Sequence, residues 1–244
     1  YNDSKLSFKQ IKNNINEYIG KEQFLKSQKF SIRDTLLFNN KIFVSFTNER
    51  KDDCWNMSLI YGDLNYKDIY FKPLFIPDEC VNSKDNKDKV FEALQVGGRI
   101  VAINNDEILL TTGEFRSRFR AQDKESTMGK IIKINLKNKD FKIVAMGLRN
   151  AQGLFFDEAN QIILSTEHGP EGGDEINLIS SKNLDDKEIK NLGWAISSYG
   201  EHYLKEHYRL PGWRKEINDP YIKYPLYKSH INYGFIEPIK YYTP

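Results

Sequence analysis

The chain has 244 residues, 39% hydrophobic and 13% aromatic, which is enough to bury a sizeable core in one domain. Its 36 basic residues nearly cancel its 34 acidic ones, and they are scattered rather than striped, so nothing electrostatic points to nucleic acid. No apolar run approaches the roughly 20 residues that span a bilayer.

Residues 1–29 are polar, with Ile11, Ile15, Tyr18 and Ile19 at helical spacing, and are expected to form a helical or irregular lead-in. The chain starts at Tyr1 without a methionine and reads as mature or trimmed. From residue 30 a unit recurs. Leu36–Val44, Ile100–Leu110 and Leu154–Leu164 each run as apolar strand, Asn- or Asp-bearing turn, apolar strand. Ser58–Tyr61, Lys130–Leu136 and Ile176–Ile179 supply a further strand after each hairpin. Hairpins that recur about every 50 to 70 residues, with few helix signals and no βαβ rhythm, predict an all-β fold of propeller blades, with an irregular sandwich as the competing reading. Residues 30–244 are thus expected to form a partial propeller of about four blades, with long surface insertions over 183–235 and a last strand over Ile236–Tyr242. Open propellers leave faces to be covered, so the chain reads as incomplete at Pro244.

Cys54 and Cys80 admit two readings. A disulfide would contribute roughly 3.5 kcal/mol in the chain-entropy model and belong in an oxidising compartment. Alternatively, they are two separate buried thiols. Metal binding is disfavoured, since neither has a Cys or His neighbour at ligand spacing. His202 and His207, five residues apart, fit no zinc signature and read as surface residues. Trp194, Trp213 and Tyr199 read as core packing before sugar stacking.

The chemistry concentrates between Gly147 and Asn177, where an apolar hairpin separates two polar loops. Arg149-Asn150-Ala151-Gln152-Gly153 brings a guanidinium and two carboxamides to a strand entrance, a set that suits carbonyl or carboxylate oxygens of a ligand or, alternatively, a structural clamp. Glu167-His168-Gly169-Pro170-Glu171-Gly172-Gly173-Asp174-Glu175 combines three glycines with four acids. That mixture of carbonyl and carboxylate oxygens suits a hard cation such as calcium, against a plain solvated acidic turn. It is not an EF-hand loop.

Taken in order, Gly97-Gly98-Arg99, Thr112-Gly113-Glu114, Ala121-Gln122-Asp123, Gly129-Lys130, Gly147–Gly153, Glu167–Pro170, Gly172–Asn177 and Gly193-Trp194 resemble the soluble glucose/sorbosone dehydrogenases. These are aldose sugar dehydrogenases dependent on pyrroloquinoline quinone (PQQ), built as six-bladed β-propellers, and the resemblance runs from about Arg33 to Thr243. It implies oxidation of a sugar hemiacetal to a lactone with hydride passing to the quinone. Arg149 and Asn150 would contact PQQ, Arg149 in a catalytic role by polarising the carbonyl that receives hydride, with Gln152 and His168 lining the same pocket. The carbonyls of Gly169 and Pro170 would hold the calcium that binds PQQ, and Glu175 would belong to a second, structural calcium site. The resemblance also implies a periplasmic or secreted protein, a sugar ligand and a homodimer among the partners.

One departure bears on the chemistry. Where the family carries the His that accepts the sugar hydroxyl proton, this chain has Gln95, with Leu94 beside it. A carboxamide has no basic lone pair usable near neutral pH, and losing a positioned base costs about 10²–10⁴-fold in rate. Glu114 stands at the acid that orients the family's His and becomes either an orienter without its partner or a substitute base. Ala151 and Ala195 replace family prolines, which relaxes both loops. Two functions follow: a PQQ-dependent sugar dehydrogenase, or a catalytically inactive calcium-binding propeller that binds a sugar or a protein.

Overall fold

A computed structural model describes residues 10–27, 29–87, 90–182, 184–185, 188–201 and 228–243. In chain order the elements are β1 (Lys12–Asn13), a 3-10 turn (Ile15–Glu17), α1 (Lys21–Lys26), β2 (Ile32–Phe38), β3 (Lys41–Lys51) and β4 (Cys54–Asp63). Then come β5 (Asp68–Ile69), β6 (Lys72–Phe75), β7 (Val81–Asn82), β8 (Gly97–Asn104), β9 (Glu107–Thr112) and α2 (Arg118–Gln122). They are followed by β10 (Lys130–Asn135), β11 (Phe141–Met146), β12 (Ala151–Asp157), β13 (Ile162–Glu167), β14 (Glu175–Ser180), β15 (Lys190–Asn191) and β16 (Lys240–Tyr241).

The fold is all-β, and the three predicted hairpins are β2–β3, β8–β9 and β12–β13. Asn39 and Asn40 both take positive φ, 48° and 56°, the two-residue turn that matches strand twist. Each hairpin grows into a sheet: β2-β3-β4-β6 with β7 on β4, β8-β9-β10-β11-β15, and β12-β13-β14-β16. The described residues therefore hold three blade-like sheets where about four were expected. His202, His207, Trp213 and the prolines at 211, 220 and 225 lie outside the described residues. The last expected strand shortens to Lys240–Tyr241, because Pro238 has no N–H to give a ladder.

The sheets stack face to face. Phe43, Trp55, Leu59 and Phe75 of the first sheet meet Ile100, Ile108, Leu110 and Ile132 of the second. Leu109, Ile131, Val144 and Ala145 on the other face of the second sheet meet Ile163 and Ile179 of the third. Ile19 of the lead-in covers Val44, Phe46 and Ile60 on the outer face of the first sheet, with Ile11, Ile15 and Tyr18 packed around it. The first strand of the second sheet, β8, neighbours both β2 and β12, so the leading strands of the three sheets line one inner side, as in a propeller.

Cys54 and Cys80 form a disulfide, which decides between the two readings. It joins β4 to the loop that carries Glu79. The Glu79 carboxylate accepts hydrogen bonds from Ser126 Oγ at 2.7 Å, from the Thr127 amide at 2.7 Å and from Thr127 Oγ1 at 2.9 Å, and pairs with Arg120. The first sheet is thereby tied to the loop entering β10. No helix among the described residues is long and apolar enough to cross a membrane.

Candidate functional site

Antiparallel order puts the starts of β8, β10, β12 and β14 and the ends of β9, β11 and β13 on one rim, since Thr112 pairs with Gly97 and Lys130, and Glu167 with Ala151 and Glu175. Gln95, Glu114, Arg149, Asn150, His168, Gly169 and Pro170 lie on the loops at that rim, with Gln152 and Glu175 at the adjoining strand ends.

Arg149 is their hub. Its backbone N–H donates to Glu167 Oε2 at 2.6 Å, and its carbonyl accepts from the Glu114 N–H at 3.1 Å. Its guanidinium Nη1 donates to the carbonyl of His168 at 2.9 Å and to that of Gly169. Nη2 donates to Gln95 Oε1 at 2.8 Å, and the same oxygen accepts from Arg116 Nε at 3.2 Å. The Gln95 NH2 group donates to Glu114 Oε1 at 2.9 Å. Gln95, Glu114 and Arg149 are all buried. Asn150 turns its Oδ1 back to accept from Gly97 N–H at 3.1 Å, so it fixes the entrance of β8.

A second group adjoins it. His168 Nε2 lies 3.1 Å from Gln152 Oε1, and Nδ1 lies 3.3 Å from Asp174 Oδ2. Asp174 Oδ1 accepts from Gly169 N–H at 3.0 Å. The imidazole stands in solvent, 57% exposed, so it is the open edge of the site. The guanidinium also sits 5.6 Å from the Trp194 ring, in cation–π range, with the Arg118 guanidinium 6.0 Å from that ring.

The glycine loop crowds its peptide oxygens together. The carbonyls of His168 and Gly169 converge on one cationic nitrogen, and a Cβ at Gly169 would lie 2.3 Å and 2.4 Å from the carbonyl oxygens of Gly173 and Gly172. Only a glycine permits peptide oxygens to crowd together in this way. Pro170 is buried beside it. Among the described residues no group of three or more His, Cys, Asp and Glu side chains is arranged to hold a metal, so any ion here would depend on peptide oxygens.

Two features were not legible as a unit. Glu167 and Glu175 face each other across β13 and β14, both buried. Burial, and for Glu175 also the Glu167 charge, pushes both carboxyls up, to about 7 for Glu167 and about 9 for Glu175. His230, wholly buried, brings Nε2 to 3.7 Å from Glu175 Oε1, and burial pulls its pKa down. Asn177 Oδ1 and Ser197 Oγ beside them have no hydrogen-bond partner among the described residues. Glu167 and Glu175 bracket the loop at the ends of one hairpin, which is the signal that predicts their pairing. His230 carries no such signal, because the segment bearing it returns from outside the blade repeat.

Stacked blade-like β-sheets whose leading strands line one inner side place the chain in the propeller class. The chain belongs to the glucose/sorbosone dehydrogenase family, whose model matches residues 35–231. The aldose sugar dehydrogenase YliI of Escherichia coli is 28% identical over 134 residues, half of this chain and 34% of that protein. The apo crystal structure of the soluble aldose sugar dehydrogenase of E. coli superposes with a TM-score of 0.64 at 22% identity, over 88% of this chain and 58% of that one. The PQQ-bound aldose sugar dehydrogenase of Streptomyces coelicolor gives 0.51 at 17%, over 83% and 49%. The match thus takes in about a third of the curated relative and about half of these solved chains.

Proposed function

We propose that this chain contributes the quinone- and substrate-facing part of a sugar dehydrogenase of PQQ type, an oxidoreductase that converts a sugar hemiacetal to a lactone. The observation that carries this reading is the placement of Arg149, whose one guanidinium touches Gln95, the glycine-loop carbonyls and the face of Trp194. PQQ, when bound, supplies the hydride acceptor. Arg149 and Asn150 would hold its carbonyl and carboxylate oxygens, with Gln152 and His168 at the open edge. The carbonyls of His168 and Gly169 already converge on one positive charge, that of Arg149; with that guanidinium turned to the quinone, the carbonyls of Gly169 and its neighbour Pro170 would be the ones to hold a calcium ion. Glu175, with Glu167 and the unpartnered oxygens of Asn177 and Ser197, fits a second cation.

Gln95 orients a sugar hydroxyl through its carboxamide but accepts no proton. The carboxylate left to do so is Glu114, which already receives the Gln95 NH2. Turnover would accordingly be slow. That same contact favours a second reading, a cofactor-binding but catalytically silent propeller. The disulfide and the family support a periplasmic or secreted location.

The test is titration with PQQ and calcium, read by quinone absorbance, followed by dye reduction with a panel of aldoses. Cofactor uptake with slow turnover, raised about 10²–10⁴-fold by Gln95→His and abolished by Glu114→Gln, is the expected result. Uptake with no turnover in either the parent or Gln95→His supports the silent propeller, and absence of uptake rejects both.

A further inference from the structure

Two consecutive non-glycine residues after Glu114 take left-handed backbone, Phe115 at φ 53° and Arg116 at φ 67°. Such conformations are costly for side chains with a Cβ and persist where the surroundings enforce them. Phe115 has an evident compensation. Its ring is fully buried beside Phe91, its N–H donates to the Gln95 carbonyl at 2.9 Å, and its carbonyl accepts from Glu92 N–H at 3.1 Å. Arg116 is only half-buried, so burial does not account for it. Its backbone N–H donates to Glu114 Oε1 at 3.1 Å, which glycine would do equally well. What the left-handed turn adds is aim: the guanidinium Nε reaches Gln95 Oε1 at 3.2 Å, the same oxygen that takes Arg149 Nη2 at 2.8 Å.

One neutral carboxamide oxygen thus sits where two guanidinium groups converge. Converging guanidinium N–H groups are the recognition geometry of carboxylate and phosphate oxygens. The Gln95 carboxamide, buried and held on both its oxygen and its nitrogen, occupies that point, so a ligand oxygen that takes it would do so by displacing the carboxamide.

We propose that Arg116 is a specificity-determining residue and that, with Arg149, it selects a sugar carrying an anionic group over a neutral aldose. This deepens the reading of the site given above and rests on it for the sugar. Lysine would not substitute fully, because a single ammonium cannot reproduce the planar fork.

Calorimetric titration of the 244-residue chain with D-glucuronate and with D-glucose, at matched ionic strength, tests the proposal without requiring turnover. Glucuronate is expected to bind at least tenfold more tightly. Arg116→Gly should abolish that preference while leaving the melting temperature unchanged or higher, since glycine relieves the left-handed backbone. Arg116→Gln, which keeps a hydrogen-bonding group and drops the charge, should likewise lose the preference, and Arg116→Lys should retain part of it. Equal affinity for the two sugars, no heat with either, or a preference that survives Arg116→Gly overturns the proposal. A marked fall in melting temperature of Arg116→Gly, with the preference intact in Arg116→Gln, identifies a structural anchor instead. PQQ titration run in parallel keeps the two readings apart: glucuronate selectivity without quinone uptake fails the cofactor assignment alone.

Discussion

Arg149 brings together residues that the linear sequence spreads over more than seventy positions, among them Gln95, Glu167, His168 and Gly169. A lysine there would keep the charge but lose the fork, because three donors on one nitrogen cannot reach a carboxamide on one side and two peptide carbonyls on the other. Arg149→Lys is therefore expected to lower PQQ affinity at least tenfold and to leave the buried Gln95 oxygen poorly satisfied, costing about 1–3 kcal/mol in urea unfolding. Unchanged quinone uptake in that variant would contradict the hub role. The residue chemistry of Arg149, Asn150, Gln152 and His168 marked the ends of an apolar hairpin as polar, with a structural clamp as the competing reading, and their roles came from the family resemblance. Asn150 has a role that its residue type does not announce, since its Oδ1 accepts from Gly97 N–H and fixes the entrance of β8. Arg116 was illegible because nothing in Thr-Gly-Glu-Phe-Arg announces a positive φ on two non-glycine residues.

At the level of the element, the β13–β14 hairpin carries an electrostatic load that hydrophobic patterning hides. Glu167 and Glu175 both have carboxyls raised above the ordinary value of 4.5. Below about pH 4.5 the folded and unfolded chains are both protonated there, and the pair costs nothing. As pH rises, the unfolded chain ionises first while the fold keeps its protons, so stability falls from about pH 4.5 until the folded groups ionise, near 7 and 9. In a chelating buffer the melting temperature should drop between pH 5 and 8, and Glu175→Gln should flatten that slope. Calcium should also flatten it by favouring the ionised carboxylates. An identical slope in the parent and in Glu175→Gln would rule the pair out as its source. The neighbouring strand β10 makes a contrasting use of a buried charge. Lys130, fully buried, donates to the carbonyls of Arg120, Ala121 and Met128, closing the end of α2. Burial pulls its pKa down to about 7, yet three peptide oxygens match its three donors. Lys130→Met would leave those oxygens unsatisfied and should cost roughly 3 kcal/mol, measured by chemical denaturation. Hairpins were visible from alternation and Asn-rich turns, whereas this lysine sits in a strand pattern that alternation assigns to solvent.

Across the whole molecule, the lead-in covers the outer face of the first sheet, whereas the equivalent face of the third leaves large apolar side chains exposed or only partly covered. Along that sheet Phe156, Ile163 and Ile179 point to the second sheet, so their strand neighbours Phe155, Leu164 and Leu178 point away from it. Phe155 is 58% exposed, and Leu164 and Leu178 are only partly covered. A row of three large apolar side chains aligned across paired strands is a continuous patch, and such patches drive association unless they are covered. The 244-residue chain should therefore bind a hydrophobic dye and elute later as a smaller species when Phe155 becomes lysine, since a charge at the patch centre opposes desolvation on both sides. Light scattering coupled to gel filtration reads this directly. A parent chain that stays monomeric at high concentration, with the same dye response as Phe155→Lys, would mean that the face is covered by residues beyond the described set. The sequence period disclosed the sheets and their inner faces. It could not disclose how far each outer face is covered, because covering depends on where non-repeating segments pack: Ile11, Ile15 and Ile19 lie on the first sheet, while Phe155 on the third stays exposed.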